Sequence, residues 1–346
     1  MGAGPAGCAA AITLRGLRVV MLEAAPGPSE RIGENMASSA NRLLGELGVA
    51  PAFLTDGHLP CHARVSRWGS EFEESTDALL DLDGPGWLLD RARFDARLRE
   101  AAQDSGARLI APARATSRSF DGERWWITHT GAQQPIGAAF VIDATGRDGR
   151  TPARARHDRL LCAWTHLPRD RTSPSLTQVQ SAPDGWWYTA PLPGGRRVLA
   201  FHTDPDIAKS MDLRATLLAR AAEQNGIAQV LGDSDLSTPG TVAFCAAGSR
   251  APVADESPGA LKVGDASMAF DPLSGQGIFH ALYTGTMAAR AVHASMAGDA
   301  EAVRRYRSGL MEVWRTYQSR WVAGYAAERR WADRPFWRRR HAAVSV

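Results

Sequence analysis

Gly2-Ala3-Gly4-Pro5-Ala6-Gly7 opens the chain, an Ala-rich segment follows, and Arg18-Val19-Val20-Met21-Leu22-Glu23 closes the first unit. Glycines in G-x-G-x-x-G spacing, a helical segment, a buried strand and a terminal acid form the order of a dinucleotide-binding βαβ unit. The first glycine makes the tight turn and the second lets backbone approach a pyrophosphate; the third lets helix and strand pack closely. A helix starting at Pro5 turns its partially positive N-terminus toward the phosphates. Glu23, 21 positions after Gly2, stands where ribose hydroxyls need an acceptor. The strand expected ahead of Gly2 is not in the sequence, which starts at Met1. Losing a central strand leaves its neighbours' backbone groups unpaired, so a start upstream of Met1 is the expectation.

Working outward, Asp90 followed by Arg91 to about Gln103 reads as a helix, Ser105-Gly106 ends it, and Arg108-Leu109-Ile110 returns as a strand. Arg124 to Thr128 is a strand with two tryptophans. Ala139 to Asp143 is a buried strand that ends in Ala144-Thr145-Gly146. Residues 160 to 250 read as strand-rich, with Trp186-Trp187-Tyr188 and Arg197 to Phe201, interrupted by a helix from Leu213 to Gln224. Ala260 to Asp265 is another buried strand. It leads through Asp271-Pro272-Leu273-Ser274-Gly275-Gln276-Gly277-Ile278 into a long helix, and the last third is helical.

Composition bounds the classes. The chain has 346 residues, 44% hydrophobic and 22% charged, which is an ordinary globular balance with room for two domains. No apolar run approaches the roughly 18 residues of a membrane span. No secretion signal opens the chain, and Cys8, Cys61, Cys162 and Cys245 form no C-x-x-C pair, so reduced thiols in the cytoplasm are expected. No metal-ligand spacing occurs. The net charge of +3 conceals an asymmetry: from Arg304 to Arg340, 11 arginines face three acids. Trp314, Tyr317, Trp321, Tyr325, Trp331, Phe336 and Trp337 interleave with them at mostly helical spacings. A helix packed on the body with solvated arginines is one reading, and a docking face for an acidic protein partner another. Nucleic acid is not the expected partner.

Together, Gly2-x-Gly4-Pro5-Ala6-Gly7 with Glu23, Asp143-Ala-Thr-Gly146, and Gly264-Asp265 with Asp271 to Ile278 resemble the FAD-dependent monooxygenase superfamily. That group has the p-hydroxybenzoate hydroxylase type of fold, with flavin halogenase and geranylgeranyl reductase relatives. The resemblance implies an α/β fold: a Rossmann-like FAD-binding domain (1–60, 91–160 and 256–298), an inserted β-sheet substrate domain (61–90 and 161–255) and a helical C-terminus (299–346). It also implies FAD at Gly2, Gly4, Pro5, Ala6, Gly7, Glu23, Arg31, Arg91, Gly264, Asp265, Pro272, Gly275, Gln276, Gly277 and Ile278. Of these, Asp265 would bind the ribityl chain, and the loop before Ile278 would approach the isoalloxazine. The electron source would be NAD(P)H directly or a separate flavin reductase; Asp148-Gly149 resembles the motif of direct users in an atypical setting.

Within the superfamily, the chain is most similar to the flavoproteins that mature tryptophylquinone enzymes. Gly33-Glu34, Gly57-His58-Leu59, Gly86 to Arg91 and the tail around Tyr325 to Arg330 carry that likeness. It implies transfer of oxygen from a flavin C4a-hydroperoxide to an electron-rich aromatic ring, with a tryptophan of a partner protein as one candidate substrate. A hydroxylase or reductase of a small natural product and a non-catalytic flavoprotein maturation partner are the alternatives. Halogenation is disfavoured, because halogenases of this type carry a lysine after the Gly-Glu motif and no lysine lies between Gly33 and Arg150. His58, His202 and His280 are the candidate proton handlers, since imidazole titrates near neutrality; each also reads as a structural histidine. Asp271 reads as a turn cap, and Trp186, Trp187 and Tyr188 as either pocket wall or core.

Overall fold

The computed structural model describes residues 1–77, 81–148, 157–169, 176–232, 241–253 and 257–342. Gly149 of the Asp148-Gly149 pair lies outside them. The helix Pro5–Thr13 begins directly after the second glycine, with proline in its first turn and Ala6 to Ile12 all buried. It packs along the 20-residue helix Gly277–Met296. Small residues allow that approach: a Cβ on Gly285 would stand 2.2 Å from the Ala6 carbonyl oxygen. The helix Arg91–Asp104, capped by the Asp90 carboxylate accepting from Arg93 N at 3.0 Å, covers the other side.

Two parallel strand pairs flank this helical layer, Val20–Leu22 with Arg108–Ile110 and Val141–Asp143 with Ala260–Lys262. Met1 and Gly2 stitch them together. Gly2 N donates to Leu22 O at 2.7 Å, the Met1 amino group donates to Ile142 O at 2.8 Å, and Ala144 N donates to Met1 O at 2.8 Å. An antiparallel three-stranded sheet, Ala115–Phe120, Trp125–His129 and Ile136–Ala138, lies alongside. Trp125 anchors it through Nε1 to Pro258 O at 2.7 Å.

The residues between 161 and 246 form five strands of a seven-stranded sheet, and 63–67 and 74–77 supply the other two. All neighbours are antiparallel except Ala63–Arg67, which runs parallel to Thr177–Ala182. Strand alternation divides the aromatic run. Trp187 packs with Phe201 on the face covered by helices Leu213–Ala222 and Asn225–Leu231, whereas Trp186 and Tyr188 face the helical layer. The helix expected from Leu213 to Gln224 runs Leu213–Ala222, and a second one, Asn225–Leu231, follows it after Gln224 takes an extended conformation (φ −95°, ψ 103°).

The C-terminal helix Ala302–Ala327 buries one stripe, Tyr306, Leu310, Trp314, Tyr317, Trp321 and Tyr325. A last helix, Pro335–Ala342, buries Phe336 and Trp337. Several arginines of the basic tail are structural rather than solvated. Arg340 is buried over the Phe336 ring at 3.6 Å and reaches Asp204 at 2.9 Å, and Arg330 binds Glu328 and Ser181. Arg329, Arg334 and Arg338 are exposed. Among the described residues, no helix is long and apolar enough to cross a membrane.

The helix–helix approach is testable. Gly285→Ala should cost about 1–3 kcal/mol in urea unfolding, because its methyl group meets backbone. Gly309→Ala, where an added Cβ meets nothing within 4 Å, should instead gain up to about 1 kcal/mol. Equal effects at the two sites would contradict the packing described.

Candidate functional site

A cavity of about 950 Å³ runs from the Gly-rich turn, past the start of the helix Gly277–Met296, to the inner face of the seven-stranded sheet. Of the expected FAD residues, Gly2, Gly4, Pro5, Ala6, Glu23, Arg31, Arg91, Gly264, Asp265, Pro272, Gly275, Gln276, Gly277 and Ile278 line it. Gly7 does not; its role is in the turn itself, where a Cβ would stand 2.1 Å from Gly2 O. Gly2 has φ +94°, and a Cβ there would strike Ala144 O at 2.3 Å. Gly4 differs from both, since a Cβ at that position meets nothing within 4 Å and would project into open space.

Glu23 is held in place from two sides. Its Oε2 accepts from Ala3 N at 2.7 Å and its Oε1 from Ala25 N at 2.9 Å. Sequence reasoning missed Arg99, whose Nε donates to Ala3 O at 2.9 Å and whose guanidinium lies 3.6 Å from Glu23. Arg91, Asp95 and Arg99 recur every four residues on one helix face, which was the signal to follow. Asp95 is fully buried and pairs with both Arg31 (2.7 Å) and Arg91 (3.3 Å). Arg91 also donates to Gly33 O at 2.8 Å.

Asp265 forms an ion pair with Arg147 at 2.8 Å; Arg147, a second residue missed in the sequence, also donates to Gly248 O and Phe270 O. Glu34 is buried in the cavity wall, accepting from Gly33 N at 2.9 Å and bonding His166 Nε2 at 3.0 Å. His166 had no motif to mark it, whereas Arg147 directly follows the Asp143-Ala-Thr-Gly146 turn.

Asp271 caps the turn that carries Pro272 to Ile278, accepting from Leu273 N at 2.9 Å. Its other oxygen accepts from Tyr325 OH at 2.8 Å and Trp321 Nε1 at 3.1 Å, both on the C-terminal helix. Tyr325 in turn accepts from Trp186 Nε1 at 3.1 Å. One carboxylate therefore joins the loop, the helix and the sheet around the cavity.

The three candidate histidines separate. His202 is buried and lines the cavity, with its ring stacked on Trp186 at 3.6 Å. Burial pushes its imidazole down to about 3. His280 is buried against Phe270 and pushed down to about 4, also by burial, and does not line the cavity. His58 lies outside the cavity, packed on Phe53 and Phe94, with Nδ1 accepting from Asp90 N at 3.2 Å; burial lowers it too.

These residues fit FAD. The N-termini of helices Pro5–Thr13 and Gly277–Met296 both reach the cavity, where their unpaired N–H groups favour anionic groups. The space beyond Gly4 suits a pyrophosphate, and Asn35 Oδ1 and Arg91 Nε are buried in the wall with no protein partner. Glu23 is placed for ribose hydroxyls.

Comparison with known proteins agrees with this geometry. The tryptophan halogenase family profile matches residues 70–345. The chain belongs to that family. It is 27% identical to LodB of Marinomonas mediterranea, an inferred FAD-dependent oxidoreductase, over 99% of this chain and 96% of that one. It is 25% identical to the tryptophan 2-halogenase of Chondromyces crocatus over 87% of this chain, but spans only 62% of that protein. Among solved structures, the flavin-dependent halogenase CmlS superimposes with a TM-score of 0.88 at 20% identity, covering 98% of this chain and 66% of CmlS. The peptidyl tryptophan dihydroxylase QhpG superimposes with a TM-score of 0.81 at 24% identity, covering 98% and 77%. The fold is that of the flavin-dependent halogenases, and the chain is an FAD-dependent oxidoreductase.

Two predictions follow from the site. Gly4→Val should shift stability by no more than about 1 kcal/mol, yet lower FAD affinity at least tenfold in a fluorescence titration; unchanged affinity would remove Gly4 from the cofactor cradle. The second concerns Asp158, whose Oδ1 accepts from Ser249 N at 2.5 Å beside Asp271. Burial, then the Asp271 charge, push its carboxyl up to about 7. Because that lies above the unfolded value, about 3.9, the folded chain holds the extra proton. The stabilisation is complete below the unfolded value and is lost as pH rises through about 7. Asp158→Asn lacks this dependence, so its Tm relative to the native chain should climb between about pH 5 and pH 8; a constant offset would show that Asp158 does not carry the proton.

Proposed function

We propose that the chain is a flavin-dependent monooxygenase that hydroxylates an electron-rich aromatic ring, with a tryptophan carried by a partner protein as its substrate. The observation that carries this reading is one cavity joining a dinucleotide cradle to an aromatic wall, Trp186 and Tyr188 on the sheet and Phe270 beside the loop. When bound and reduced, FAD supplies activated oxygen, and the protein supplies orientation and exclusion of water. Arg31 and Arg91, braced by Asp95, and Glu23, braced by Ala3 N, would hold the cofactor. Asp271 fixes the loop that would meet its ring. Trp186 and Tyr188 would confine the substrate, and His202, kept neutral by burial, lines the same end of the cavity as a hydrogen-bonding group rather than a base.

The similarity to QhpG, whose described activity is peptidyl tryptophan dihydroxylation, supports an aromatic substrate of this type. The family relatives that are halogenases make halogenation the second reading. Hydroxylation is favoured because neither lysine of the chain is at the cavity: Lys209 is exposed on the helix Pro205–Ser210, and Lys262 lies in the strand Ala260–Lys262. The exposed Arg329, Arg334 and Arg338 would dock an acidic surface of the partner; Arg330 is withdrawn from that role by its bonds to Glu328 and Ser181.

Turnover separates these readings. FAD-loaded protein, a reductant, isotopically labelled oxygen gas, chloride and bromide should be supplied with tryptophan-bearing peptides. The expected product carries labelled oxygen on the indole ring and no halogen. A halogenated ring would replace the reading with the second one.

A further inference from the structure

Neighbouring strands of the seven-stranded sheet place four side chains in one row on its inner face. Cys245 stands opposite Cys162, Cys162 opposite His202, and His202 opposite Trp186. All four line the cavity, as does Tyr188, two residues along from Trp186 and therefore on the same face. None of the five carries a formal charge at neutral pH: burial holds His202 neutral and drives the Tyr188 hydroxyl upward. Of the five arginines that line the cavity, Arg31 and Arg91 pair with Asp95, Arg147 pairs with Asp265, and Arg114 and Arg118 lie just before and within the strand Ala115–Phe120; none is in this row.

Two polar atoms in this neutral wall are unexplained. His202, 2% exposed, has no partner at Nδ1, and the buried Tyr188 hydroxyl has none either. Folded proteins rarely leave such groups unpaired, and those that stay so need a reason. Nδ1 is the ring nitrogen without a partner, and with the proton on Nε2 it is an acceptor. The Trp186–His202 stack, parallel to within 6°, fixes that acceptor's direction. Trp186 is itself held by Tyr325 and, through it, by Asp271 at the loop expected to meet the flavin.

We propose that His202 Nδ1 and the Tyr188 hydroxyl form a recognition subsite for the N–H or O–H group of an uncharged aromatic ring, an indole or a phenol. The subsite selects by charge as well as by shape. A carboxylate on the ring would be buried against this uncharged row and near the acid Glu34, the charged side chain that acts most on Tyr188, which is costly. A free aromatic amino acid is therefore a poor ligand, whereas a ring presented as a protein side chain, with its carboxyl in peptide linkage, is a good one. This inference rests on the aromatic-hydroxylation reading and names the determinant of its specificity.

The test uses FAD-loaded protein and reads dissociation constants from the perturbation of the bound flavin spectrum by indole, N-methylindole and indole-3-acetate. Indole should bind at least tenfold more tightly than either analogue, about the worth of one hydrogen bond. His202→Phe keeps a flat ring on Trp186 and removes the acceptor. It should weaken indole about tenfold and leave N-methylindole unchanged, and Tyr188→Phe should act in the same direction without disturbing the stack. The inference is overturned if indole does not bind, if indole and N-methylindole bind alike, or if the variants weaken both equally. Hydroxylation that is indifferent to the ring N–H would retain the proposed function and remove the subsite. The expected binding pattern without oxygen transfer would do the reverse.

Discussion

The buried carboxylate of Asp271 is the constraint on which the other parts of the site depend. A carboxylate withdrawn from water is tolerated only when donors surround it, and Asp271 draws them from separate parts of the chain: Leu273 N in its own turn, and Trp321 and Tyr325 from the C-terminal helix. Tyr325 carries the connection to Trp186 on the sheet. The loop that faces the cavity, the helix behind it and the sheet opposite are thereby fixed relative to one another. The C-terminal helix is consequently a structural part of the site, although none of its residues lines the cavity.

The cavity that results is electrically divided. Its dinucleotide side has two helix N-termini and arginines already partnered by acids, so their positions are set before any anion arrives. Its sheet side is aromatic and uncharged. Such a division suits a large anionic cofactor that extends a neutral ring system toward an apolar substrate. Preorganisation of this kind lowers the entropy lost on binding, because the charged side chains do not have to be ordered by the ligand.

Much of the cofactor half was legible in the sequence, because its determinants are local. Glycine spacing, Pro5 at the helix start, Glu23 at the strand end and Asp90 before its helix each express a short-range rule. What remained hidden depends on tertiary register. The pair Trp186-Trp187 shows that alternate residues face opposite sides, but only the sheet's placement tells which side meets the cavity. His58 and His202 look alike as isolated histidines; one packs on Phe53 and the other stacks on Trp186. Arg147 meets Asp265 across more than a hundred residues. Charge counting likewise could not separate buried Arg340, held by Asp204, from exposed Arg334.

The account's central claim is that this single cavity is a preformed FAD site ending against an aromatic substrate wall. A structure of the chain crystallised with FAD tests it most directly. The account predicts one flavin per chain, its pyrophosphate at Gly4 and Pro5, a ribose at Glu23, and its ring between the Pro272–Ile278 loop and the face bearing Trp186 and His202. A flavin bound elsewhere, or a folded chain that takes none at saturating concentration, would contradict it.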